Sequence, residues 1–230
     1  MMTDRVLFIT GASSGIGAAT ARLAAEAGFR VALAARRREK LEDLAAELGE
    51  DRALAVGCDV TDAADARRAV AAATERFGGL DAVFANAGTG GGPGGFSGAD
   101  PESWKKLLLV NVLGVAHTLQ AALPAIRERR GHVVLTGSVA GRRTIAGSMY
   151  GASKWAVTAI GYNLREELRG SGVRVTLIEP GMVDTPFFDE AKPDALKPED
   201  VARSVVFALQ QPPHVDLHEL TVLPTPPVEG

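Results

Sequence analysis

Tyr150 and Lys154 lie four positions apart, the spacing that brings two side chains onto one face of a helix. A cation beside a phenol favours the phenolate and lowers a pKa that is ordinarily about 10. A group that gives a proton to a carbonyl oxygen, or takes one from an alcohol, needs such tuning near neutral pH. The spacing alone also fits an exposed pair with no chemistry. Ser138 adds weight, because it ends an apolar run, and open α/β sheets bind ligands at the carboxyl ends of their strands. A second feature is the run Thr10-Gly11-Ala12-Ser13-Ser14-Gly15-Ile16-Gly17. Its glycines permit a tight turn, close approach of backbone to a pyrophosphate, and close packing of helix on strand. A helix starting there offers N–H groups and a positive dipole end to an anion, although a plain N-cap loop would look similar. A third is Ala34-Ala35-Arg36-Arg37-Arg38, where no acid precedes Glu39. A carboxylate at the end of the second strand suits the ribose 2′-OH of NAD, whereas arginines suit the 2′-phosphate of NADP. The alternative for Arg36 and Arg37 is the solvated start of a basic helix.

These residues need a scaffold, and the chain alternates short apolar runs with Ala-rich helical runs. Strands are expected at 5–10, 30–35, 52–58, 81–85, 132–137, 173–179 and 219–223. Helices are expected at 15–27, 38–48, from Thr61 or Asp62 to about Phe77, 101–129, 149–169 and 198–209. The alternation implies a parallel sheet with helices on both faces, and the near-continuous apolar character of the strands agrees. The segments 89–98 and 185–197 read as loops. The tail from Gln211, with Pro212, Pro213, Pro224, Pro226 and Pro227, is expected to wrap a surface or a partner subunit. No linker or repeat divides the chain, so residues 1–230 read as a single domain.

Composition sets the limits. The chain has 230 residues, 46% hydrophobic and 23% charged, which excludes a disordered chain. A net charge of −3 argues against a broad nucleic-acid surface. One cysteine, Cys58, excludes an intrachain disulfide framework and a cysteine-rich zinc site, and no metal is expected. A reducing, cytoplasmic setting fits that count. Met1 to Thr10 runs directly into a strand and turn, so no signal peptide is expected. The stretch 107–126 is apolar enough to suggest a bilayer span, but Asn111, His117, Gln120 and Pro124 favour a buried helix and no membrane.

Taken together, the chain resembles the short-chain dehydrogenases/reductases, in the single-domain branch with a TGxxxGxG turn and a YxxxK pair. The likeness runs from about Arg5 to Leu223. Its motifs come in order: Thr10–Gly17, Asp59-Val60, Asn86-Ala87-Gly88, Asn111, Ser138, Tyr150 and Lys154, and Pro180-Gly181-x-Val183-x-Thr185. The resemblance implies a doubly wound Rossmann fold with a seven-stranded sheet in the order 3-2-1-4-5-6-7. It implies that Tyr150 is the acid in reduction and the base in oxidation, that Lys154 tunes it and holds the nicotinamide ribose, and that Ser138 holds the substrate oxygen. Asn111 would interrupt its helix to hold a water in a proton relay, Asp59 and Val60 would touch adenine, and Val183 and Thr185 would hold the carboxamide.

Two departures stand out. Ala85 replaces a frequent Asn, and Tyr150 follows Ser138 by 12 positions, about one fewer than the family pattern. The expected activity is NADP(H)-dependent interconversion of a carbonyl and a secondary alcohol. The substrate would be a small ketone or a 3-hydroxy acid, to which the tail 214–226 points by resemblance. Candidate substrate residues are Met149, Met182, Phe187 and Phe188, with Arg142 and Arg143 either meeting a substrate carboxylate or facing solvent or a subunit. Alternatives are an NAD-dependent dehydrogenase, a non-catalytic dinucleotide sensor, or an epimerase or dehydratase. The last is disfavoured because only about 50 residues follow Pro180. Self-packing of the helices at 107–126 and 150–169 would make a homotetramer or homodimer.

Overall fold

A computed structural model describes residues 4–188 and 190–226. Pro227, which the sequence assigns to the wrapping tail, lies outside the described residues. The strands are β1 (Val6–Thr10), β2 (Arg30–Ala35), β3 (Ala53–Gly57), β4 (Ala82–Ala85), β5 (His132–Thr136), β6 (Arg174–Pro180) and β7 (Glu219–Val222). They form one parallel sheet in the order β3-β2-β1-β4-β5-β6-β7, as the resemblance implies. The crossing point lies between β1 and β4, the place where such sheets open a crevice at their carboxyl ends.

Helices cover both faces. On one side α3 (Ala63–Phe77), α6 (Gly114–Glu128) and α7 (Met149–Glu167) bury Phe77, Leu119, Ile126 and Val157 against Phe8, Val83, Val133 and Leu177. On the other, α1 (Gly15–Glu26), α2 (Arg38–Leu48) and α8 (Pro198–Gln210) bury Ala21, Leu41 and Val205 against Leu7, Ile9 and Leu33. Alternate residues of β1 go to opposite faces, as strand geometry requires. Caps fix the helix starts: the Asp62 carboxylate accepts from the Ala64 N–H, and the Ser148 hydroxyl accepts from the Gly151 N–H one residue past Tyr150.

Two segments differ from the sequence reading. The expected helix at 101–129 is three pieces: α5 (Pro101–Leu108), a π-helical turn (Leu109–Leu113) and α6. The π turn falls on Asn111, as expected of a residue that interrupts its helix. By length and composition this 28-residue stretch could cross a membrane, yet 44% of its apolar window is buried within the fold. The Gly-rich segment 89–98 is not loop throughout, because it ends in a single turn, α4 (Gly95–Gly98). The tail runs back along β6, where Leu217 and Val215 carbonyls accept from Thr176 and Arg174 side chains.

Candidate active site

The carboxyl ends of β1, β2, β4, β5 and β6 surround a cleft of about 490 Å³. Its floor is the turn from Thr10 to α1. Gly11 has a φ of +69°, and a Cβ there would come within 2.9 Å of the Ala87 Cα. Both the left-handed backbone and the close approach therefore require glycine. Gly17 behaves differently from the expectation that it meets a cofactor. It does not line the cleft, and a Cβ on it would sit 2.4 Å from the Gly11 carbonyl oxygen. Its service is to seat α1 on β1. Ser14, the N-cap of α1, makes no side-chain capping bond to its own helix, and Ser14, Gly15 and Ile16 at the helix start line the cleft.

Arg36 and Arg37 line the same end. The Arg37 guanidinium donates to the Ser13 hydroxyl (2.9 and 3.2 Å) and to the Ser14 hydroxyl (2.7 Å). Two arginines and two hydroxyls thus converge where Ala35 leaves no carboxylate. Asp59 lines the cleft nearby, and its Oδ1 accepts from the Thr61 N–H (2.9 Å) and hydroxyl (2.8 Å). Burial opposes its charge, but those Thr61 bonds and the Arg36 guanidinium outweigh it and hold the carboxyl below the usual range. Cys58, beside it, has its thiol pushed up to about 11, chiefly by burial, and is inert by that measure.

Ala87 and Gly88 present backbone to the cleft, while Asn86 is mostly committed to the scaffold. Its amide donates to the Thr10 carbonyl (3.0 Å) and its carbonyl accepts from the Thr136 hydroxyl (3.1 Å), tying β1 to β5 across β4. Pro180, Gly181, Val183 and Thr185 complete the far wall. Thr185 packs near Gly15, where a Cβ would come within 3.2 Å of it.

Ser138, Tyr150 and Lys154 meet at one end of this cleft. Ser138 follows β5 and opens a 3-10 turn (Val139–Gly141), its hydroxyl accepting from the Ala140 N–H (3.1 Å). Tyr150 and Lys154 come from the first turns of α7, with Lys154 Nζ 5.8 Å from the phenol ring centre. The electrostatics depart from the expected tuning. Burial raises the Tyr150 phenol above its ordinary value and outweighs the adjacent Ser138 hydroxyl, which pulls the other way. Burial also pushes Lys154 down to about 8, so it is a weaker cation than the spacing alone suggests. Its ammonium donates to the Thr136 carbonyl (2.8 Å) rather than to Tyr150.

Asn111 does not line the cleft. Its Oδ1 accepts from the Thr89 N–H (2.8 Å), and its Nδ2 donates to the Thr89 carbonyl (3.0 Å) and to Ser153 (3.1 Å). Its side chain pins the loop after β4 to α7. Of the substrate candidates, Phe187 and Phe188 line the cleft, and Phe187 stacks edge-on against Tyr150 at 5.6 Å. Met149 and Met182 do not line it, and Met182 is 52% exposed. Arg142 does not line the cleft. Its Nε donates to both Glu179 carboxylate oxygens (2.8 and 2.9 Å), and its Nη2 pairs with Glu219. Arg143 is exposed and outside the cleft. Sequence reasoning missed Lys106 and Val110, which line the cleft from α5 and the π turn. Four-residue spacing on that helix is their only signal.

The family model for short chain dehydrogenase matches residues 5–196. An uncharacterized oxidoreductase of Staphylococcus aureus (strain USA300) is 39% identical over 229 residues, 97% of this chain and 99% of the relative. Among solved structures, an alcohol dehydrogenase from the archaeon Thermococcus sibiricus complexed with 5-hydroxy-NADP has a TM-score of 0.90 at 33% identity, covering 98% of this chain and 99% of that one. A serine dehydrogenase from Escherichia coli has a TM-score of 0.87 at 34% identity, covering 95% and 97%. The chain belongs to the short-chain dehydrogenase family, oxidoreductases built on a dinucleotide-binding fold.

Proposed function

We propose that the protein interconverts a carbonyl and a secondary alcohol with NADP(H), using Tyr150 as acid and base. The observation that carries this reading is the single cleft with Ser138, Tyr150 and Lys154 at one end and Arg36, Arg37 and Ser13 at the other. The bound nicotinamide supplies or accepts the hydride, and the protein supplies position and proton. Gly11 and the N-terminus of α1 would hold the pyrophosphate, Asp59 and Val60 the adenine, and Val183 and Thr185 the carboxamide. In reduction, the Tyr150 hydroxyl donates its proton to the substrate oxygen, while Ser138 donates a hydrogen bond to the same oxygen as charge develops there. Lys154, charged and buried, would steady the phenolate left behind and hold the ribose hydroxyls.

The substrate sits against Phe187 and Phe188, which favours a small ketone or alcohol with an apolar side. The alcohol and serine dehydrogenase relatives support that size class. With Arg142 engaged by Glu179, a 3-hydroxy acid would need another cation, and Lys106 is a further cation among the residues that line the cleft. Leu108, Leu113, Trp155 and Tyr162 stand 39–48% exposed on the two long helical stretches, which supports assembly as a homodimer or homotetramer. One buried cysteine suits a reducing, cytoplasmic setting.

The cofactor choice is tested at the arginines. A charge-assisted hydrogen bond is worth about 1.5–3 kcal/mol. Removing Arg36 or Arg37 as alanine should therefore raise the KM for NADPH about ten- to a hundredfold while leaving that for NADH nearly unchanged. Undiminished NADPH preference in the double variant would count against a phosphate site there.

A further inference from the structure

We propose that Glu179 is a positioning residue: its buried carboxylate, gripping Arg142, fixes the turn that carries Ser138. The proposal rests on the reading of Ser138 and Tyr150 given above. A carboxylate is seldom buried without a partner, and Glu179 is 1% exposed at the end of β6. Both its oxygens accept from Arg142 Nε at 2.8 and 2.9 Å, and Oε1 also accepts from the Thr158 hydroxyl at 3.3 Å.

The two partners belong to the segments that build the catalytic end of the cleft. Arg142 closes the 3-10 turn that Ser138 opens. Its N–H donates to the Val139 carbonyl, the Gly141 N–H donates to the Ser138 carbonyl, and the Ala140 N–H donates to the Ser138 hydroxyl. Drawing Arg142 onto Glu179 therefore sets the orientation of the whole turn. Thr158 lies one helical turn beyond Lys154 on α7. A Cβ on Gly141 would stand 2.6 Å from the Lys154 carbonyl oxygen and 2.9 Å from the Thr158 hydroxyl, so the turn lies flush on that helix. Gly137, just before Ser138, lies against Glu179, whose Cγ would be 3.2 Å from a Cβ there.

The far end of Arg142 is held as well, by the Tyr162 hydroxyl at 3.3 Å and by Glu219 on β7. An ion pair with one buried partner adds little net stability compared with an apolar filling; what the Glu179–Arg142 pair does here is tie the turn after β5 to the end of β6. Here that tie holds Ser138 in the wall of the cleft, its hydroxyl within 3.5 Å of the Pro180 carbonyl at the end of β6.

The test is a double-mutant cycle on carbonyl reduction with Glu179→Gln, Ser138→Ala and the pair, with thermal midpoints and NADPH binding measured on the same samples. A misplacement of about 1 Å can cost about a hundredfold, so Glu179→Gln should lower kcat by about ten- to a hundredfold. NADPH binding should stay within about twofold. In the Ser138→Ala background the same change should cost no more than about twofold further, because its effect runs through Ser138. Arg142→Lys, which keeps the charge and loses the Nε contact, should reproduce the pattern and serves where Glu179→Gln does not fold. A wild-type kcat in the folded single variants, or losses that multiply fully in the pair, would overturn the proposal. Turnover that survives Tyr150→Phe would instead overturn the underlying reading, whatever Glu179 does.

Discussion

Tyr150 is buried enough that its phenol stays protonated well past neutral pH, and Lys154 sits near 8. The sign of the pH dependence follows. Reduction needs a protonated Tyr150, which is present throughout the neutral range, and a charged Lys154, whose charge is lost as pH rises through about 8. The kcat/KM for reduction should therefore be flat near neutrality and fall above about pH 8, because that parameter reports the free enzyme. Oxidation, which needs a proton acceptor at Tyr150, should rise with pH over the same range. A Lys154→Arg variant keeps its charge, so any activity it retains should lose the limb near pH 8. A limb that stays at the same pH in that variant would assign it to another group. The residue types and order of this site were legible in the sequence, since Tyr150, Lys154 and Ser138 do converge. Their electrostatics were not, because spacing carries no measure of burial. The same holds for Arg142: nothing in its neighbours along the chain marks Glu179, 37 positions away, as its partner.

At the scale of elements, the Gly-rich turn and the π turn do different work. Gly17 lets α1 close on β1, with Gly11 and Asn86 the atoms that a side chain would strike. Overpacking of this kind costs about 1–3 kcal/mol. Gly17→Ala should lower the thermal midpoint by several degrees, at about 2–4 °C per kcal/mol for a chain of this size. It should also weaken cofactor binding through displacement of the α1 N-terminus. An unchanged midpoint would mean that the helix shifts without cost. The alternation of apolar and helical runs gave the element order and, within one or two residues, most boundaries, because both faces of every central strand are buried. It did not give the turn Gly95–Gly98, which has no apolar periodicity and a glycine at each end. Nor did it give the use of Asn111 as a clamp on Thr89, a contact between segments that no local pattern encodes.

For the whole molecule, the amino-terminal ends of the strands lie opposite the site. There His132 is 2% exposed, bonds the Thr176 hydroxyl at 2.7 Å, and is pushed down to about 3 by burial and by nearby Arg174 and Arg5. Its pKa is lower folded than unfolded, so the neutral ring stabilises the fold above about pH 6.5, and that contribution is lost as pH falls toward about 3. Acid unfolding should set in below about pH 6, and His132→Gln should flatten the dependence between about pH 6 and 3 in equilibrium denaturation. An unaltered slope would show that the acid limb belongs to carboxylates elsewhere. The central claim is that one cleft joins a tyrosine acid/base to an NADP(H) site, and the most direct measurement is NADPH oxidation against a panel of ketones by the wild-type protein and Tyr150→Phe, with NADPH affinity measured in both. The account predicts turnover in the wild type, faster with NADPH than with NADH. It predicts a loss of about a hundredfold or more in Tyr150→Phe with binding unchanged. Equal rates in the two proteins, or tight NADPH binding with no turnover of any ketone, would contradict it.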